Sequence, residues 1–371
     1  MSDPSTRLFF DLDSQNPSSV RKLFNVEYIN ENRDEYSTFL SKTSRIKKNS
    51  YRQILQTVLS IVKCDSLDEQ LNVYRSAIYM ILKNSTEFDK EYYSQLIREV
   101  LQSLRYFSIV SDYQICCNEL RNILQSIRTI SDNSPFLAVV NELMILFIRN
   151  RLFKEAQNIS SNSLAKIERC ENMNAFTNSD WAQYNFLSGR VCLVFSRFAE
   201  AATYFAESLK KIPLYHSKDR RNVLVLFIPV QLALGIIPSK ELREKYHIFY
   251  YDQLISSIEN GDADMFSNYV NENYFDLVQL GVWNAVMKAK CFIYLTLIKI
   301  VFRIHEEAGN IKPFINLSLF RVAFGVDSNN DAISILSLLN TEEIISIKIS
   351  EAMVVFIKHP ITQQTTKSRG N

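Results

Sequence analysis

The sequence predicts an all-α protein, a helical repeat of tetratricopeptide-like helix hairpins capped by a C-terminal winged helix with a small β-hairpin. Three observations lead to this fold class. Glycine supplies only 7 of the 371 residues, against about 7% in average globular chains, so few turns with positive φ are available. Apolar residues recur at helical spacing from Tyr51 onward. Near the C-terminus this spacing gives way to two short helical segments and two runs of β-branched residues.

The N-terminal half consists of a polar segment followed by helices. Residues 1–50 are mostly polar, and we expect only partial order there. Helical spacing then marks segments near 54–62, 71–81, 96–107 and 113–130. Ser131 to Pro135 should form a turn whose polar side chains suit the capping of the next helix. Residues 51–178 are therefore assigned to N-terminal helical repeats.

One hairpin carries the spacing of a tetratricopeptide-like unit. Its marker residues are Gly189, Ala201, Phe205, Ser208 and Pro213. A small residue sits where two helices cross, Ala201 lets the second helix approach, and Phe205 fills the gap between them. Pro213 ends that helix because proline cannot donate a backbone hydrogen bond. Such a unit needs stacked neighbours to bury its apolar face, and stacked hairpins usually form binding surfaces.

An earlier segment resembles this hairpin. Arg151–Ala156 and Arg197–Ala201 share an arginine before an aromatic turn and an alanine that opens a second helix. Phe153 and Phe198 each precede that alanine by three residues, and the two alanines are 45 residues apart. This period suits helix-pair repeats with long arms. Chance similarity between two amphipathic helices is the alternative.

The C-terminal half continues as helices over residues 179–308. Gly261 is expected to end one helix and Asp262 to cap the next, which carries Phe266 and Val270. A strongly apolar helix follows at about Leu280 to Ile304.

Residues 309–360 carry the pattern of the winged helix, and 361–371 form a polar tail. Pro313 is expected to open a short helix through Phe314, Leu317 and Phe320, and a second helix to run from about Asn330 to Leu339. The runs 344–349 and 353–357 then flank a tight turn and predict a β-hairpin.

Composition argues against several classes of protein. The formal net charge is +2, with 47% hydrophobic and 22% charged residues, which is ordinary for a chain with a large core. No window approaches the roughly 18 uninterrupted apolar residues of a membrane-spanning helix, and the N-terminus lacks a basic-then-apolar leader pattern. We therefore expect no membrane insertion. The six cysteines have no paired spacing and are expected to be buried, reduced thiols.

Motifs that carry chemistry are missing from the sequence. The four histidines have no cysteine or carboxylate at metal-ligand spacing. No glycine pair could form a phosphate-cradling loop, and no serine lies in a nucleophile-elbow context. We therefore expect no catalysis, no metal, no cofactor and no small-molecule substrate.

The segment from Arg220 to Pro238 carries a family resemblance. It contains a basic pair, an apolar run into Ile-Pro-Val, then Leu-Gly and a second proline, and is followed by Leu242 and Lys245-Tyr246. In this the chain resembles the PCI-domain proteins of the proteasome lid, the signalosome and initiation factor three, whose helical repeats end in a winged helix. The likeness is greatest to the PCI subunit of the nuclear-pore-associated transcription-and-export complex. It extends through Asn260-Gly261-Asp262 to Phe356-Ile357-Lys358 and covers about residues 180–360.

The resemblance implies that residues 179–371 form the PCI domain of a non-catalytic scaffold subunit of a nuclear mRNA-export complex. Its implied partners are a large PCI-containing export scaffold protein, a small acidic disordered subunit, and RNA or DNA contacted jointly by paired winged helices. The implied location is nuclear, at the envelope or pore, with a cytoplasmic pool. Two alternatives stay open. One is a PCI subunit of a signalosome-like or proteasome-lid-like assembly with no nucleic-acid role, and the other is a free tetratricopeptide adaptor for peptide tails.

Basic residues in clusters are candidates for nucleic-acid contact, since each neutralised phosphate adds a salt-sensitive electrostatic term. The candidates are Lys210, Lys211, Arg220 and Arg221 in the helical part, and Lys312, Arg321, Lys348 and Lys358 in the winged helix, where they could share a face. A further basic run lies at 42–52. The alternative for each cluster is an ordinary solvated face.

The opposite charge pattern predicts a candidate partner surface. No lysine or arginine occurs between Lys245 and Lys288. The acidic residues in this stretch are Asp252, Glu259, Asp262, Asp264, Glu272 and Asp276. Like charges on stacked helices favour a basic partner segment, and the alternative is an acidic solvent face.

The terminal hairpin gives a second candidate partner surface. In PCI proteins winged helices pack laterally against one another, and an open sheet edge can pair with a partner strand. By resemblance the packing residues would be Ile345, Ile347, Val354 and Phe356. The alternative makes these residues the core of the domain itself.

Overall fold

The computed structural model describes Ile29, Glu31, Tyr36 and residues 49–84, 90–110, 113–127, 135–167, 176–309, 314–350 and 352–357. The chain divides into two compact units, Met1–Leu187 and Ser188–Asn371. The predicted fold class is confirmed, since helices make up most of the described chain and a small antiparallel sheet lies near the C-terminus. The predictions for 1–28, the basic run at 42–48, the turn at 131–134 and the tail at 361–371 lie outside the described residues.

The first unit contains successive helices, and among the first six each helix packs on the next along the chain. They are α1 (Asn49–Leu59), α2 (Leu67–Lys83), α3 (Lys90–Val110), α4 (Tyr113–Ile127), α5 (Phe136–Arg149), α6 (Phe153–Ile167) and the first part of α7 (Asn178–Val194). A short 3-10 helix, Ser60–Lys63, follows α1. Helix α5 is buried on nearly all sides and packs against α3, α4 and α6, as expected for a helix whose sequence is almost wholly apolar.

A buried carboxylate fixes the start of α7 within this unit. Asp180 is 3% exposed, and its side chain accepts hydrogen bonds from Arg98 Nε at 3.1 Å and from the Thr177 hydroxyl at 2.7 Å. The Asn141 amide donates to the Asp180 carbonyl oxygen at 2.9 Å. Because a buried charge is costly without partners, this network holds α3 and α5 against the first turn of α7.

The second unit has a helical layer of its own. It contains the rest of α7, then α8 (Phe198–Lys211), α9 (Ser217–Ala233), α10 (Lys240–Lys245), α11 (Asp252–Asn260), α12 (Ala263–Glu272), α13 (Tyr274–Leu280) and α14 (Trp283–Glu307). Helix α14 packs against α9, α11, α12 and α13 and is the centre of this layer. It begins three residues later than predicted because Gly281, with φ of +76°, first ends α13.

The predicted tetratricopeptide-like packing is present in this unit. Ala201, Phe205 and Ser208 have no exposed surface. A β-carbon added at Gly189 would lie 2.7 Å from Cε1 of Phe205, a distance at which two carbons overlap. Gly189 is therefore required for the close approach of α7 and α8, and α8 ends at Lys211, just before Pro213.

The turns before α6 and α8 repeat at the predicted spacing. Arg151 and Ser196, 45 residues apart, have φ of +58° and +56°. The next residue in each turn donates its N–H five residues back, from Leu152 to Phe147 at 2.8 Å and from Arg197 to Cys192 at 2.9 Å, which is the bond of a Schellman helix end. Arg151 therefore corresponds to Ser196 in the structure. The arginines that the two sequences share, Arg151 and Arg197, occupy turn positions that differ by one residue.

The winged helix ends the second unit. Its elements are β1 (Phe314–Asn316), α15 (Leu317–Ala323), α16 (Asn329–Thr341), β2 (Ile347–Ser350) and β3 (Met353–Phe356). The sheet order is β1-β3-β2, with both pairings antiparallel. The predicted hairpin is therefore confirmed.

The prediction that the first short helix includes Phe314 is wrong. Phe314–Asn316 forms a strand paired with the distant β3, and periodicity along the chain cannot show such pairing. Helix α15 starts only at Leu317, where the Asn316 side chain accepts the Ser318 N–H at 2.9 Å. Pro313 lies outside the described residues.

The winged helix and the second half of α14 share one core. Ile298 and Phe302 of α14 belong to the same buried cluster as Phe320, Leu336 and the inner face of the sheet. The Phe302 and Phe356 rings meet edge to face, with centroids 5.5 Å apart. Through this core α14 connects the helical layer of the second unit to the winged helix.

Candidate functional site

The outer edge of β2 offers a short stretch of backbone for pairing. In the described part of the chain no strand pairs with this edge, since β2 contacts only β3. Ile357 N–H donates to the Ser346 carbonyl at 2.9 Å. In an antiparallel ladder the backbone groups of successive residues point alternately toward the partner strand and away from it. The backbone groups of Lys348 therefore face β3, and those of Ile347 and Ile349 face outward. Ile347 N–H is already bound by the Asn340 side chain at 3.0 Å. Ile349 therefore supplies the N–H that a partner strand could use.

The outer face of the same sheet exposes apolar side chains. Phe314 is 45% exposed and Ile357 55% exposed, and Met353 lies beside them on the outward side of β3. Lys348 stands in the row formed by Phe314 and Val355. An apolar sheet face with Lys348 at its edge as the cation that the structure describes there favours a protein contact over a phosphate surface.

The two basic candidates of the winged helix that the structure describes, Lys348 and Arg321, do not share a face. Lys348 is exposed on the outer side of the sheet, whereas Arg321 is exposed on α15, one of the helices that cover the inner side. Lys312 and Lys358 lie outside the described residues. The expectation of one basic face is therefore not met by the two candidates that the structure describes.

Arg220 has a structural role that its sequence context did not show. Its guanidinium donates from Nε to the Tyr246 hydroxyl at 2.8 Å, and from Nη1 to the carbonyls of Leu209 and Ile212 at 2.7 and 2.8 Å. Those carbonyls end α8, where the helix dipole is negative. Arg220 thus joins α8, α9 and the end of α10, and three of its five N–H donors are used inside the protein.

The neighbouring basic candidates remain on the surface. Lys210, Lys211 and Arg221 are exposed, and the Lys210 ammonium lies 2.6 Å from the Glu207 carboxylate one turn earlier. Lys211 and Arg221 can therefore attract a nucleic acid at long range, and the charge of Lys210 is partly neutralised by Glu207.

A cleft of the second unit combines cations with apolar walls. It has a volume of about 530 Å³ and lies between the end of α9, the end of α11 and α14. Lys299 and Arg303, one helical turn apart on α14, line it together with Ile237, Phe292 and Glu259. Burial lowers the pKa of the Lys299 ammonium, so an anionic group placed beside it would favour its charged form. The sequence prediction did not include these cations, because α11 and α14 meet only in the fold.

The acidic candidates divide into structural and exposed groups. Asp252 is paired with Arg243, and the Asp262 side chain caps α12 by accepting the Met265 N–H at 2.8 Å, as predicted. Glu259 and Asp264 are exposed. Two of the six acidic residues, Asp252 and Asp262, therefore hold the fold, and the other four, which include Glu272 and Asp276, lie on its surface.

The apolar candidates of the hairpin are core residues. Ile345, Ile347, Val354 and Phe356 are between 0% and 7% exposed and belong to the shared core with α14. Their placement as a partner surface is corrected accordingly. The alternation of the strands sends them inward, and Phe314, Met353 and Ile357 take the outward positions.

No helix in the described ranges is long and apolar enough to cross a membrane.

Comparison with known proteins relates the sequence to helical-repeat and PCI proteins. Residues 92–248 match the family model of PSMD3-like N-terminal TPR repeats. The PCI domain-containing protein 2 homolog of Drosophila melanogaster is 26% identical over 163 residues, which cover 43% of this chain and 41% of that protein. The chain is related to PCI-domain proteins.

Two further proteins are similar to this chain over a comparable length. PCI domain-containing protein 2 of Xenopus laevis is 23% identical over 163 residues, covering 43% of this chain and 41% of that protein. The Protein CSN12 homolog of Yarrowia lipolytica is 26% identical over 141 residues, covering 37% and 35%. The matched region thus spans about two fifths of the length of the PCI domain-containing protein 2 relatives. A helical layer ended by a winged helix agrees with the PCI fold.

Proposed function

We propose that this PCI-type chain is a non-catalytic scaffold subunit of a nuclear mRNA-export complex, located at the nuclear envelope or pore. Its partners would be a large PCI-containing scaffold protein, a small acidic disordered subunit, and RNA or DNA held jointly by paired winged helices. The proposal rests on the likeness of the segment Arg220–Pro238 to the export subunit and on a winged helix in which no described strand pairs with the outer edge of β2.

The open edge of β2 is the observation that carries the scaffold role. The inner edge of β2 pairs with β3, and the outward N–H of Ile347 is bound by the Asn340 side chain. Ile349 presents its backbone N–H and carbonyl outward. The apolar outer face formed by Phe314, Met353 and Ile357 adjoins the same sheet. Strand pairing at the edge, with burial of the outer face, is a known mode of protein recognition and needs no catalytic group.

A single backbone change tests this role. Ile349→Pro removes the outward N–H and leaves the bonds to β3 intact, since proline is tolerated on edge strands when its nitrogen faces away from the ladder. Ile349→Val keeps the N–H and is the matched control. We expect Ile349→Pro to abolish co-purification of the PCI scaffold partner while Ile349→Val retains it. Retention by both variants, with a folded winged helix in each, would refute edge pairing.

The identity of the assembly is tested by its composition. The chain is tagged in its native cell, purified gently and analysed by mass spectrometry, with fluorescence imaging of the same tag. Recovery of a large export scaffold with a small acidic subunit, and signal at the nuclear rim, are the expected results. Recovery of signalosome or lid subunits would contradict the export role.

The cleft on α14 is where we place the small acidic subunit. Lys299 and Arg303 would pair with carboxylates, and Ile237 and Phe292 would receive apolar side chains between them. Lys299→Gln with Arg303→Gln should release the acidic subunit while the large scaffold stays bound. Glu259→Gln, in the same cleft, is the control and should leave binding intact or strengthen it.

A signalosome-like or lid-like assembly is the second candidate. It is favoured by the similarity to the Protein CSN12 homolog and by the match to PSMD3-like repeats. In that case the partner complex would bind no RNA. Salt-dependent RNA binding by the purified complex, with affinity falling steeply as salt rises, would decide in favour of the export role.

A further inference from the structure

Helix α13 exposes an unusual set of apolar side chains. Phe275 is 83% exposed, Val278 48% and Tyr274 45%. Residues three and four apart on a helix are neighbours, so these three side chains form one continuous strip on α13. Leu277 of the same helix is fully buried and packs α13 against the helical layer.

The strip continues onto the first turns of α14. The Tyr274 ring meets Phe275 at a centroid distance of 5.4 Å and Trp283 at 4.8 Å, both edge to face. Met287, one turn after Trp283, is 37% exposed. We name the surface formed by Tyr274, Phe275, Val278, Trp283 and Met287 the α13 ridge. Contiguous exposed apolar surface with aromatic side chains is typical of protein interaction sites.

The charged residues beside Tyr274 and Phe275 along the chain are acidic. Glu272 and Asp276 are exposed on either side of Tyr274 along the chain. No lysine or arginine occurs in the sequence between Lys245 and Lys288, and the Lys288 ammonium is paired with Glu342 of the winged helix. The Asp276 charge is close enough to Tyr250 to help raise the pKa of its hydroxyl, after burial as the larger cause. The ridge is thus an aromatic strip with two exposed carboxylates beside it.

We propose that the α13 ridge binds a basic segment of a partner protein in which arginines alternate with apolar residues. Guanidinium groups would stack on the Phe275 and Tyr274 rings and pair with the Glu272 and Asp276 carboxylates, because cation–π contacts and ion pairs both favour arginine. Apolar side chains of the segment would cover Val278 and Met287. The Glu272 and Asp276 carboxylates oppose phosphate binding at this helix, and the inference does not depend on the export role.

The test uses the full-length chain and a defined probe. A short fluorescein-labelled amphipathic peptide of arginine and leucine is titrated against the protein, and fluorescence anisotropy reports binding. Phe275→Ser with Val278→Ser removes the apolar strip and keeps every charge. Because truncation of a central interface aromatic often costs about tenfold or more in affinity, we expect at least about tenfold weaker binding by this variant.

Matched variants separate the apolar and the electrostatic contributions. Tyr215→Ser removes an aromatic ring that is also 83% exposed, but in the turn between α8 and α9, and should leave the affinity unchanged. Glu272→Gln with Asp276→Asn should weaken binding and reduce its dependence on salt. A peptide of the same composition in scrambled order should bind at least about tenfold more weakly than the amphipathic one.

Three results would overturn the inference. Equal affinity of the wild type and the Phe275→Ser, Val278→Ser variant would show attraction by charge alone, as would equal binding of the scrambled peptide. Absence of peptide binding, together with self-association that Phe275→Ser abolishes, would assign the ridge to contact between copies of this chain. Circular dichroism of each variant confirms that the helices remain formed, since these side chains are exposed.

Discussion

Adjacent arginines of α9 should behave in opposite ways when each is replaced by alanine. Arg220 donates three hydrogen bonds to groups of α8, its C-terminal cap and Tyr246, whereas Arg221 is exposed. Both belong to the basic pair that sequence reasoning assigned to nucleic-acid contact. The pair therefore offers a test in which charge, position and helix are matched and only the contacts differ.

The magnitude follows from the three bonds. Hydrogen bonds that involve a charged group contribute about 1.5–3 kcal/mol each. The Arg220 side chain is only partly buried, so water replaces part of each bond, and we expect Arg220→Ala to lower the free energy of unfolding by about 2–4 kcal/mol. Arg221→Ala should change it by less than about 0.5 kcal/mol, as for most exposed sites. Arg220→Lys should also destabilise, because one ammonium cannot span the three acceptors.

Urea denaturation followed by circular dichroism measures these differences, and RNA binding by the partner complex is measured in parallel. The reasoning is refuted if Arg220→Ala and Arg221→Ala unfold at the same urea concentration. It is refuted as well if Arg220→Ala loses RNA affinity while its stability stays that of the wild type, because Arg220 would then be a phosphate contact.

Three further changes test the fold and the winged helix. Gly189→Ala should lower the free energy of unfolding, measured in urea, by about 1–2 kcal/mol. Overpacking against Phe205 costs about 1–3 kcal/mol, and the higher helix propensity of alanine offsets up to about 1 kcal/mol of this. A more stable variant would contradict the packing. Burial, opposed in part by Arg105, raises the pKa of Glu142, so the folded state holds this proton more tightly than the unfolded state. The stability gained from that proton is complete below the pKa that Glu142 has in the unfolded state, and it is lost as pH rises through the pKa in the folded state. Glu142→Gln should reduce this dependence of the free energy of unfolding on pH, as unfolding curves at several pH values would show. Val354→Asp buries a charge in a fully buried position and should unfold the winged helix, whereas the exposed Lys348→Glu should keep it folded, as proteolysis would report.

Much of the helical layer was predictable from the sequence. Local signals define it, such as the spacing around Phe205, the turns at Arg151 and Ser196, and the cap at Asp262 followed by Met265. Each depends on residues close in the chain, where geometry fixes contacts. β1 was not predictable in this way, because Phe314 becomes a strand only through pairing with β3.

The candidate surfaces were predicted less well, because exposure is a property of the whole fold. Sequence identified Arg220 as basic and Phe356 as apolar, but could not show that the first is bound to Tyr246 or that the second packs on Phe302. The stretch without cations was correctly recognised as acidic, yet Phe275 gave no signal that separated it from a core aromatic.

Composition and short-range spacing therefore determined that this chain forms helical hairpins followed by a winged helix. They suffice because hydrogen bonds within helices, caps and tight turns are made between near neighbours. Tertiary structure alone decided which charged side chains are bound inside the protein and which side chains are exposed to solvent. The open edge at Ile349, the cations of the α14 cleft and the α13 ridge arise from elements that meet only after folding, since burial depends on every neighbour in space and not on neighbours in sequence.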